Sequence, residues 1–377
     1  MKMLQVILYL LYVVLLGMFV LAVWRLRYAY THFKMKALVT TAKMIEDKPS
    51  VTVCIPARNE YHAMNDCLER VVASTYPKLE IIVLDDLSGD NTSALIKAFA
   101  HDGVRFIEGA KLPEGWLGKN HALQGLLKEA SGTYILFMDV DTRLAPDSIE
   151  QLVAYAEQEG ATMVSVLPRR EDGRRASVVF SPLRYFWEIM FHRKSSPATA
   201  SNAWLIHRQT FLKRWQSFAP FKDAIQPESR LSAELMASGA YRFLIGTQLL
   251  GISYEKKWRS QLLTSVRLLS PLLQMKLPNA IVASLDLLIL TTPLWIVLSG
   301  FITGWNFNHI IAGVFILMFA GLYGMYLKKV WNKGWILGGL LWSVIVLQEA
   351  ILVLTSAIRY DQKLVTWKGR LVKVPKS

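Results

Sequence analysis

The chain has 377 residues, of which 53% are hydrophobic and 19% charged, which excludes a disordered tail protein and argues against an ordinary soluble enzyme. Its net charge is +14, and the basic residues flank long apolar runs, which favours a membrane with anionic lipid over nucleic acid as the partner. Four runs of about 18 residues or more are long enough to span a bilayer as helices: 3–23, 280–302, 310–327 and 335–358.

The first run predicts an N-terminal transmembrane anchor over residues 1–27. It is too long for the apolar core of a signal peptide, and no small-residue cleavage site precedes Arg25. Only Lys2 precedes the run, whereas Arg25, Arg27 and further basic residues follow it. Because positively charged flanks stay inside, we expect a multi-pass protein of the cell membrane, with a globular domain of residues 48–255 in the cytoplasm.

Short apolar segments alternate with helical patterns through the first part of this domain. The segments predict strands, and the patterns between them predict helices of ordinary length. This alternation is typical of an α/β fold with a mostly parallel sheet and helices on both faces. Ligands bind such sheets at the carboxyl ends of the strands. The predicted strands are 51–55, 79–84, 104–107, 133–138 and 161–167, and the predicted helices are 61–74, 92–101, 119–130 and 146–158.

The C-terminal third returns to the membrane. Residues 256–278 mix basic and apolar residues, as an interfacial amphipathic segment does, and residues 279–358 hold the remaining apolar runs before a basic tail, 359–377. If all three runs cross from a cytoplasmic domain, the tail ends outside, against the positive-inside rule. The run 335–358, which carries Glu349 near its middle, is therefore expected to be re-entrant or interfacial.

The segments after the first and third strands exclude two nucleotide-binding motifs. Pro56-Ala57-Arg58-Asn59-Glu60 has no glycine, which argues against the dinucleotide fingerprint. Gly118-Lys119 resembles half of a phosphate-binding loop, but Pro113 replaces the required first glycine and Asn120 replaces the serine or threonine. A Walker-type NTPase is thereby rejected.

Paired carboxylates follow two of the predicted strands. Asp85 and Asp86 can accept hydrogen bonds from a base N–H or from ribose hydroxyls. Asp139 and Asp141 stand at positions i and i+2 of an extended chain, so their side chains point the same way. Two converging carboxylates repel each other unless a cation lies between them, and Mg²⁺ or Mn²⁺ is commonly shared between such carboxylates and substrate phosphates.

Together these motifs resemble the membrane-anchored family-2 nucleotide-sugar glycosyltransferases, whose catalytic domain has the GT-A fold. The resemblance covers residues 50–258 and extends to the tail. The segments 112–119 (LPEGWLGK) and 365–370 (VTWKGR) are similar to the branch that glycosylates carotenoid acids, hopanoid-type lipids or ceramide. The resemblance implies transfer of a hexose from a UDP-sugar to a membrane lipid acceptor, with Mg²⁺ or Mn²⁺ as cofactor.

The resemblance also implies roles for individual residues. Lys119 would lie near the donor phosphates, Asp139 would hold ribose or metal, and Asp141 would ligate the metal. Trp116, Lys257 and Trp258 would lie at the acceptor side or the membrane interface, although Trp258 is equally well explained as an interfacial anchor. The uridine pocket would be lined by Pro56, Arg58, Glu60, Asp85 and Asp86.

One position departs from the family pattern. Inverting members carry Glu-Asp ten residues before a glycine, the Asp acting as general base, but counting back from Gly239 gives Glu228 and then Ser229. A serine cannot deprotonate a hydroxyl by itself at neutral pH. Glu228 is therefore the expected base, with Asp223 and Glu234 as rivals.

Two alternatives to the lipid glycosyltransferase remain. A processive polysaccharide synthase is disfavoured because few apolar runs are available to form a pore. The family's Gln-x-x-Arg-Trp segment is also altered, to Tyr254-Glu255-Lys256-Lys257-Trp258. A catalytically inactive scaffold that binds a sugar nucleotide is supported by Ser229 alone, and the Asp139/Asp141 pair argues against it.

Overall fold

The computed structural model describes residues 2–32, 46–171, 179–331 and 333–372, which fall into two units. The helical unit contains residues 2–32, 179–191 and 256–365, and the α/β unit contains residues 46–171, 192–255 and 366–372. The end of the predicted basic tail, with Lys373 and Lys376, lies outside the described residues.

The helices that the sequence predicts begin and end close to the predicted positions. In chain order they are α1 (Lys2–His32), α2 (Tyr61–Val72), α3 (Thr92–Ala98), α4 (Gly118–Glu129), α5 (Ser148–Gln158), α6 (Arg184–Met190), α7 (Arg208–Trp215), α8 (Pro227–Ala237), α9 (Trp258–Leu272), α10 (Leu277–Thr303), α11 (Phe307–Val330), α12 (Trp335–Leu340) and α13 (Trp342–Asp361).

The strands all belong to the α/β unit. In chain order they are β1 (Val51–Ala57), β2 (Leu79–Asp85), β3 (Val104–Glu108), β4 (Tyr134–Met138), β5 (Thr142–Leu144), β6 (Met163–Leu167), β7 (Arg169–Arg170), β8 (Ala203–His207), β9 (Tyr241–Ile245), β10 (Ile252–Tyr254), β11 (Thr366–Trp367) and β12 (Arg370–Leu371).

The main sheet of the α/β unit has seven strands in the order β3-β2-β1-β4-β8-β6-β9. The pairs among β3, β2, β1 and β4 are parallel, as is β6 with β9. Strand β8 is antiparallel to both β4 and β6. The prediction of an α/β fold with a mostly parallel sheet is confirmed, and β8 is the exception that the sequence pattern did not reveal.

The buried strands explain why the sheet reads as continuous apolar runs in the sequence. β4 and β6 are buried at every position, and β1 is buried at all but Pro56. Strands covered on both faces carry apolar residues on both sides rather than alternating with polar ones. The polar residues that follow β1, β2 and β4 therefore stand out as the groups at the carboxyl edge of this sheet.

A short hairpin from the end of the chain also belongs to the α/β unit. Strands β11 and β12 pair antiparallel, with Trp367 opposite Arg370. Lys368 and Gly369 connect them with φ values of 48° and 81°. Positive φ at both central residues is the conformation of a two-residue type I′ hairpin turn, which matches the twist of the strands.

The helical unit holds the apolar segments. Four of its helices, α1, α10, α11 and α13, are long and apolar enough to cross a membrane. The last apolar run of the sequence is divided at Leu341 into α12 and α13. On α13, the buried Glu349 accepts a hydrogen bond from the N–H of Leu183 at 3.2 Å.

Candidate active site

Arg58 joins the ends of the first two strands. It follows β1, and its Nη1 donates to the carbonyl oxygens of Asp86 and, at 2.9 Å, Leu87. Its Nε donates to the carbonyl of Lys368 in the hairpin at 3.2 Å. Pro56, two residues earlier, is half-buried and aligned with Leu84 of β2. The predicted residues of the uridine pocket that follow β1 and β2 are therefore adjacent in space.

Asp85 is held by hydrogen bonds within its own turn. Its carboxylate accepts the N–H of Ser88 at 3.3 Å and the hydroxyl hydrogens of Ser88 and Ser93. The side chain is buried and connects the end of β2 with the start of α3. These contacts give Asp85 a structural role in shaping the pocket, beside the donor contact that the resemblance implies.

Asp86, directly after β2, is buried next to residues of β12 and α4. Only 1% of the residue is exposed, and Oδ2 accepts a hydrogen bond from Arg370 Nη1 at 2.5 Å. Burial raises the pKa of this carboxyl, while Arg370 and Arg58 act in the opposite direction. A Cβ atom at Gly109 would lie 2.7 Å from the Asp85 carbonyl oxygen and 2.9 Å from Asp86 Cα, so the adjoining loop requires glycine there.

Lys119 connects α4 with the end of β4. Its Nζ lies 2.7 Å from Asp139 Oδ1, as an ion pair between half-buried side chains. The N-cap residue Leu117 supplies no side-chain hydrogen bond to the first turn of α4. A cation beside the N-terminus of a helix favours binding of phosphate, which agrees with the expected position of the donor diphosphate.

Asp139 and Asp141 follow β4 in a turn, closed by the N–H of Thr142 on the carbonyl of Asp139 at 3.0 Å, rather than in the extended chain that the sequence predicts. Val140 between them is buried, whereas both aspartates are half-buried. The Asp139 N–H donates to the carbonyl of Asn202 at 2.8 Å, so β8 fixes the backbone after β4. The described residues contain no group of three or more His, Cys, Asp or Glu that could hold a metal by itself. Two carboxylates fit a Mg²⁺ or Mn²⁺ ion only if substrate phosphate or water completes its coordination, which is the usual arrangement for Mg²⁺.

Glu60 lies within electrostatic reach of this pair. Burial raises the pKa of its carboxyl most, and the charges of Asp141 and Asp139 raise it further. The opposing influence is Lys368, whose Nζ lies 2.7 Å from Glu60 Oε1. The site therefore joins carboxylates from the ends of β1 and β4 with a cation from the hairpin.

The three candidate bases have different surroundings. Glu228 lies in the first turn of α8 and is 1% exposed. Asp223 is half-buried, with Arg230 Nη1 3.6 Å from its Oδ1. Glu234 accepts a hydrogen bond from Trp215 Nε1 at 2.9 Å. Glu234 is thus occupied by α7, which weakens its candidacy relative to the other two.

The segment that leads into α8 is fixed to the start of α4. Asn120 Nδ2 donates to the carbonyls of Phe221 and Ala224, each at 2.7 Å. The N–H of Leu117 donates to the carbonyl of Lys222 at 2.8 Å. These contacts bring the chain around Asp223 next to Lys119. Asn120 is thus a residue of the site, although in the sequence it only excludes an NTPase motif.

The three residues expected at the acceptor side are divided between the units. Trp116 belongs to the α/β unit, where its ring lies 5.7 Å from that of His121. Lys257 and Trp258 belong to the helical unit, at the N-cap and first residue of α9. Trp258 is 45% exposed, as an interfacial anchor requires.

Three hairpin residues at the site were missed by sequence reasoning. Trp367, Lys368 and Arg370 were considered only as part of a basic tail and of a family-like segment. The available signal was the Lys-Gly pair between an aromatic residue and an arginine, because a two-residue loop ending in glycine is a common hairpin turn.

Comparisons with known proteins agree with this architecture. Residues 52–215 match the family described as Glycosyl transferase family 2. A mannosyltransferase from Pyrobaculum calidifontis, solved in complex with GDP-Man and Mn²⁺, has a TM-score of 0.54 over 93% of this chain and 98% of that chain, at 16% identity.

Curated relatives match about a third of this chain. The undecaprenyl-phosphate 4-deoxy-4-formamido-L-arabinose transferase of Pectobacterium atrosepticum is 30% identical over 132 residues, which is 34% of this chain and 40% of that protein. The enzyme of the same name from Yersinia enterocolitica is 31% identical over 126 residues, 32% of this chain and 38% of its own length. The chain thus spans less than half of these relatives. The prediction of a GT-A-like fold is confirmed, and the family match of residues 52–215 together with these relatives supports a glycosyltransferase.

Proposed function

We propose that this chain is an inverting glycosyltransferase that moves a hexose from a UDP-sugar to a membrane lipid. The observation that carries the proposal is the grouping of Arg58, Asp86, Lys119 and Asp139 at the carboxyl ends of β1, β2 and β4 and the start of α4. This is the edge of an α/β sheet where ligands bind. The grouping supplies an acceptor for a base N–H and a cation for a diphosphate.

Asp139 and Asp141 are the residues that would hold Mg²⁺ or Mn²⁺. The ion would neutralise charge on the departing diphosphate, as divalent cations do in phosphate-transfer sites. Lys119 contributes to the same task from the protein, because its ammonium group lies against Asp139. Fixed positive charge at the position where negative charge develops lowers the barrier without reorganisation during the reaction.

Glu228 is the base that we assign to the acceptor side. As the acceptor hydroxyl oxygen bonds to the anomeric carbon, the bond from that carbon to the diphosphate breaks and the hydroxyl proton passes to the carboxylate. The segment that leads into α8 is fixed to the start of α4 beside Lys119, which supports this role for the buried Glu228. An acceptor that is already ionised, such as a lipid carboxylate or phosphate, would need no base.

A lipid acceptor is supported by the apolar helices of the chain. Four of them are long enough to cross a bilayer, and the curated relatives are named for transfer to undecaprenyl phosphate, a lipid. We propose a carotenoid acid, a hopanoid or another glycolipid precursor as the acceptor. The protein would lie in the cell membrane with its α/β unit in the cytoplasm, where sugar nucleotides are made.

The test measures release of UDP from UDP-hexoses by the full chain in lipid, with Mg²⁺ or Mn²⁺ and a panel of hydroxyl, carboxylate and phosphate lipids. We expect metal-dependent formation of a glycolipid that is abolished in Asp141→Ala. Glu228→Gln should lower turnover on a hydroxyl acceptor by about 10² to 10⁴ and leave UDP binding in place.

Glu234→Gln is the matched control, because it alters a carboxylate of the same helix that pairs with α7. It should retain turnover. Loss in Asp223→Asn but not in Glu228→Gln would move the base to Asp223. Binding of UDP without transfer to any lipid would favour the scaffold, and growth of a long polymer would favour the polysaccharide synthase.

A further inference from the structure

The C-terminal hairpin contacts the residues that we assign to the nucleotide. Arg370 Nη1 lies 2.5 Å from Asp86 Oδ2, and Lys368 Nζ lies 2.7 Å from Glu60 Oε1. The carbonyl of Lys368 accepts from Arg58 Nε at 3.2 Å. A hairpin of two-residue strands has almost no core of its own, so these charged contacts hold it in place. Each of them reaches a residue at the end of β1 or β2.

The hairpin also packs against the start of α4. A Cβ atom at Gly118 would lie 3.0 Å from Trp367 Cζ3, 3.0 Å from Arg370 Nη1 and 3.3 Å from Asp86 Oδ2. Trp367 and Arg370 are half-buried, while Thr366, Gly369 and Leu371 are exposed. The hairpin thus has one face towards the site and one towards solvent, and the absence of a side chain at Gly118 makes the close approach possible.

We propose that this hairpin is a wall of the nucleotide pocket, in which Arg370 positions the Asp86 carboxylate for a nucleobase N–H and Trp367 packs against the base. The inference rests on the proposed function, since it presumes a UDP-sugar donor. Arg370 is a positioning residue in this account because it acts through Asp86. Trp367 would contact the ligand directly.

The Asp86 carboxylate can accept hydrogen bonds from Arg370 and from a nucleobase at the same time. Among the described residues, the hydrogen bonds to the Asp86 side chain reach Oδ2 alone, and an ionised carboxylate accepts about four. Oδ1 is therefore available to a base. Uracil presents an N3–H, whereas cytosine has a bare nitrogen at that position, so an ionised Asp86 favours uracil. Holding Asp86 ionised in its buried position requires the cation that Arg370 supplies.

The experiment measures the Kd of UDP and of CDP by calorimetry on the full chain in lipid nanodiscs, with Mg²⁺ present. Arg370→Gln should raise the Kd of UDP about tenfold and leave that of CDP nearly unchanged, so that the preference for UDP falls. Arg370→Lys should restore part of that preference, because it keeps a charge near Asp86. Trp367→Ala should weaken both nucleotides about tenfold, since stacking does not distinguish the bases.

Leu371→Ala is the matched control, because it lies on the same hairpin with its side chain 57% exposed. It should bind both nucleotides as the unaltered chain does. Equal binding of UDP by the unaltered chain, Arg370→Gln and Trp367→Ala would overturn the inference and leave the proposed function standing. Tighter binding in Arg370→Gln would also overturn it, because the hairpin would then be a plug that the donor displaces. If the unaltered chain bound neither nucleotide, the donor assignment and the inference would both fail.

Discussion

Asp85 and Asp86 are neighbours in sequence with different tasks. The Asp85 carboxylate accepts hydrogen bonds from Ser88 and Ser93, whereas that of Asp86 pairs with Arg370 at the site. We expect Asp85→Asn to lower the free energy of unfolding by about 3 kcal/mol, since charge-assisted hydrogen bonds contribute about 1.5–3 kcal/mol each. Asp86→Asn should instead raise the Kd of UDP about tenfold.

Denaturant unfolding and calorimetric binding on the same two variants separate these effects. Each variant is the control for the other, because the substitutions are identical and one residue apart. A result in which Asp86→Asn destabilised the fold more than Asp85→Asn, with UDP binding kept, would reverse the assignment.

Binding of UDP should depend on the ionisation of Asp86. Burial raises the pKa of this carboxyl, and Arg370, Arg58 and His121 each lower it by their positive charge. Because the ionised form accepts the base N–H, the affinity for UDP should fall as the pH falls through that pKa. Arg370→Gln removes one of the lowering groups, so the fall should begin at a higher pH.

A titration of UDP affinity between neutral and acidic pH checks this shift, with CDP as the ligand that does not need the acceptor. Leu371→Ala should follow the profile of the unaltered chain. An unchanged midpoint in Arg370→Gln would show that Asp86 is not the group that titrates.

At the scale of elements, Gly118 is where α4 and the hairpin meet. Alanine has a better helix propensity than glycine, so Gly118→Ala should not weaken α4. The added Cβ would nevertheless lie 3.0 Å from both Trp367 and Arg370, which forces the hairpin to shift. We therefore expect a higher Kd of UDP with an unchanged thermal midpoint.

Gly89→Ala is a suitable control for this prediction, because a Cβ atom there would meet nothing within 4 Å. Calorimetry and thermal unfolding of both variants provide the measurement. Normal UDP binding by Gly118→Ala would mean that the hairpin does not rest on α4 when the nucleotide is bound.

The elements also show where sequence reasoning reaches its limit. The alternation from β1 to β6 is predictable because β1, β4 and β6 are buried apolar runs and a helix such as α2 has a regular apolar face. Strand β8 was not predicted, and its direction could not be, since the antiparallel pairing of Ala203–His207 with β4 is set by contacts far apart in the chain.

The site was predictable to a similar extent. Residues directly after β1, β2 and β4 could be assigned, because the carboxyl edge of a parallel sheet brings them together. The contribution of the hairpin could not be predicted, since strands of two residues are too short to show any periodicity. Its position next to Asp86 depends on a pairing between residues 284 apart in the sequence.

At the scale of the whole molecule, the proposed membrane location constrains the C-terminal helical segment: if its helices cross a bilayer, its two ends lie on the same side. The chain leaves the α/β unit after Glu255 and rejoins it at Thr366. An even number of crossings must therefore lie between these points. Three helices in this segment, α10, α11 and α13, are long enough to cross, so in a membrane we expect one of them not to span.

Contacts within the helical unit identify α12 and α13 as the exception. A Cβ atom at Gly339 of α12 would lie 2.7 Å from the carbonyl oxygen of Ala320, near the middle of α11. Trp342, which begins α13, stacks on Phe319 with ring centroids 6.0 Å apart. The junction of α12 and α13 thus lies beside the middle of α11, not beyond the end of α11 at Phe307.

The other end of α13 lies beside α9 and the start of α10. Ser356 Oγ donates to the carbonyl of Val266 at 2.5 Å, Tyr360 OH donates to that of Arg267 at 2.6 Å, and Ser284 of α10 donates to Ala350 at 3.3 Å. From α9 to α10 the contacted positions of α13 move back from Ser356 and Tyr360 to Ala350, so the last turns of α13 lie beside α9 and its middle lies beside the first half of α10. In the proposed orientation, with the α/β unit in the cytoplasm, a re-entrant α12–α13 would also place the basic tail on the cytoplasmic side, in agreement with the positive-inside rule.

We therefore predict that residues 101, 333 and 362 are accessible from one side of the membrane and residue 305 from the other. Single cysteines at these exposed positions, labelled with an impermeant thiol reagent in sealed vesicles, provide the measurement. Cys54 and Cys67 are buried and should give little background, which the unaltered chain checks. His101→Cys marks the side of the α/β unit, and Trp305→Cys marks the loop between α10 and α11. Labelling of Gln362→Cys together with Trp305→Cys would mean that α13 spans, in which case the hairpin could not reach the nucleotide pocket of its own chain.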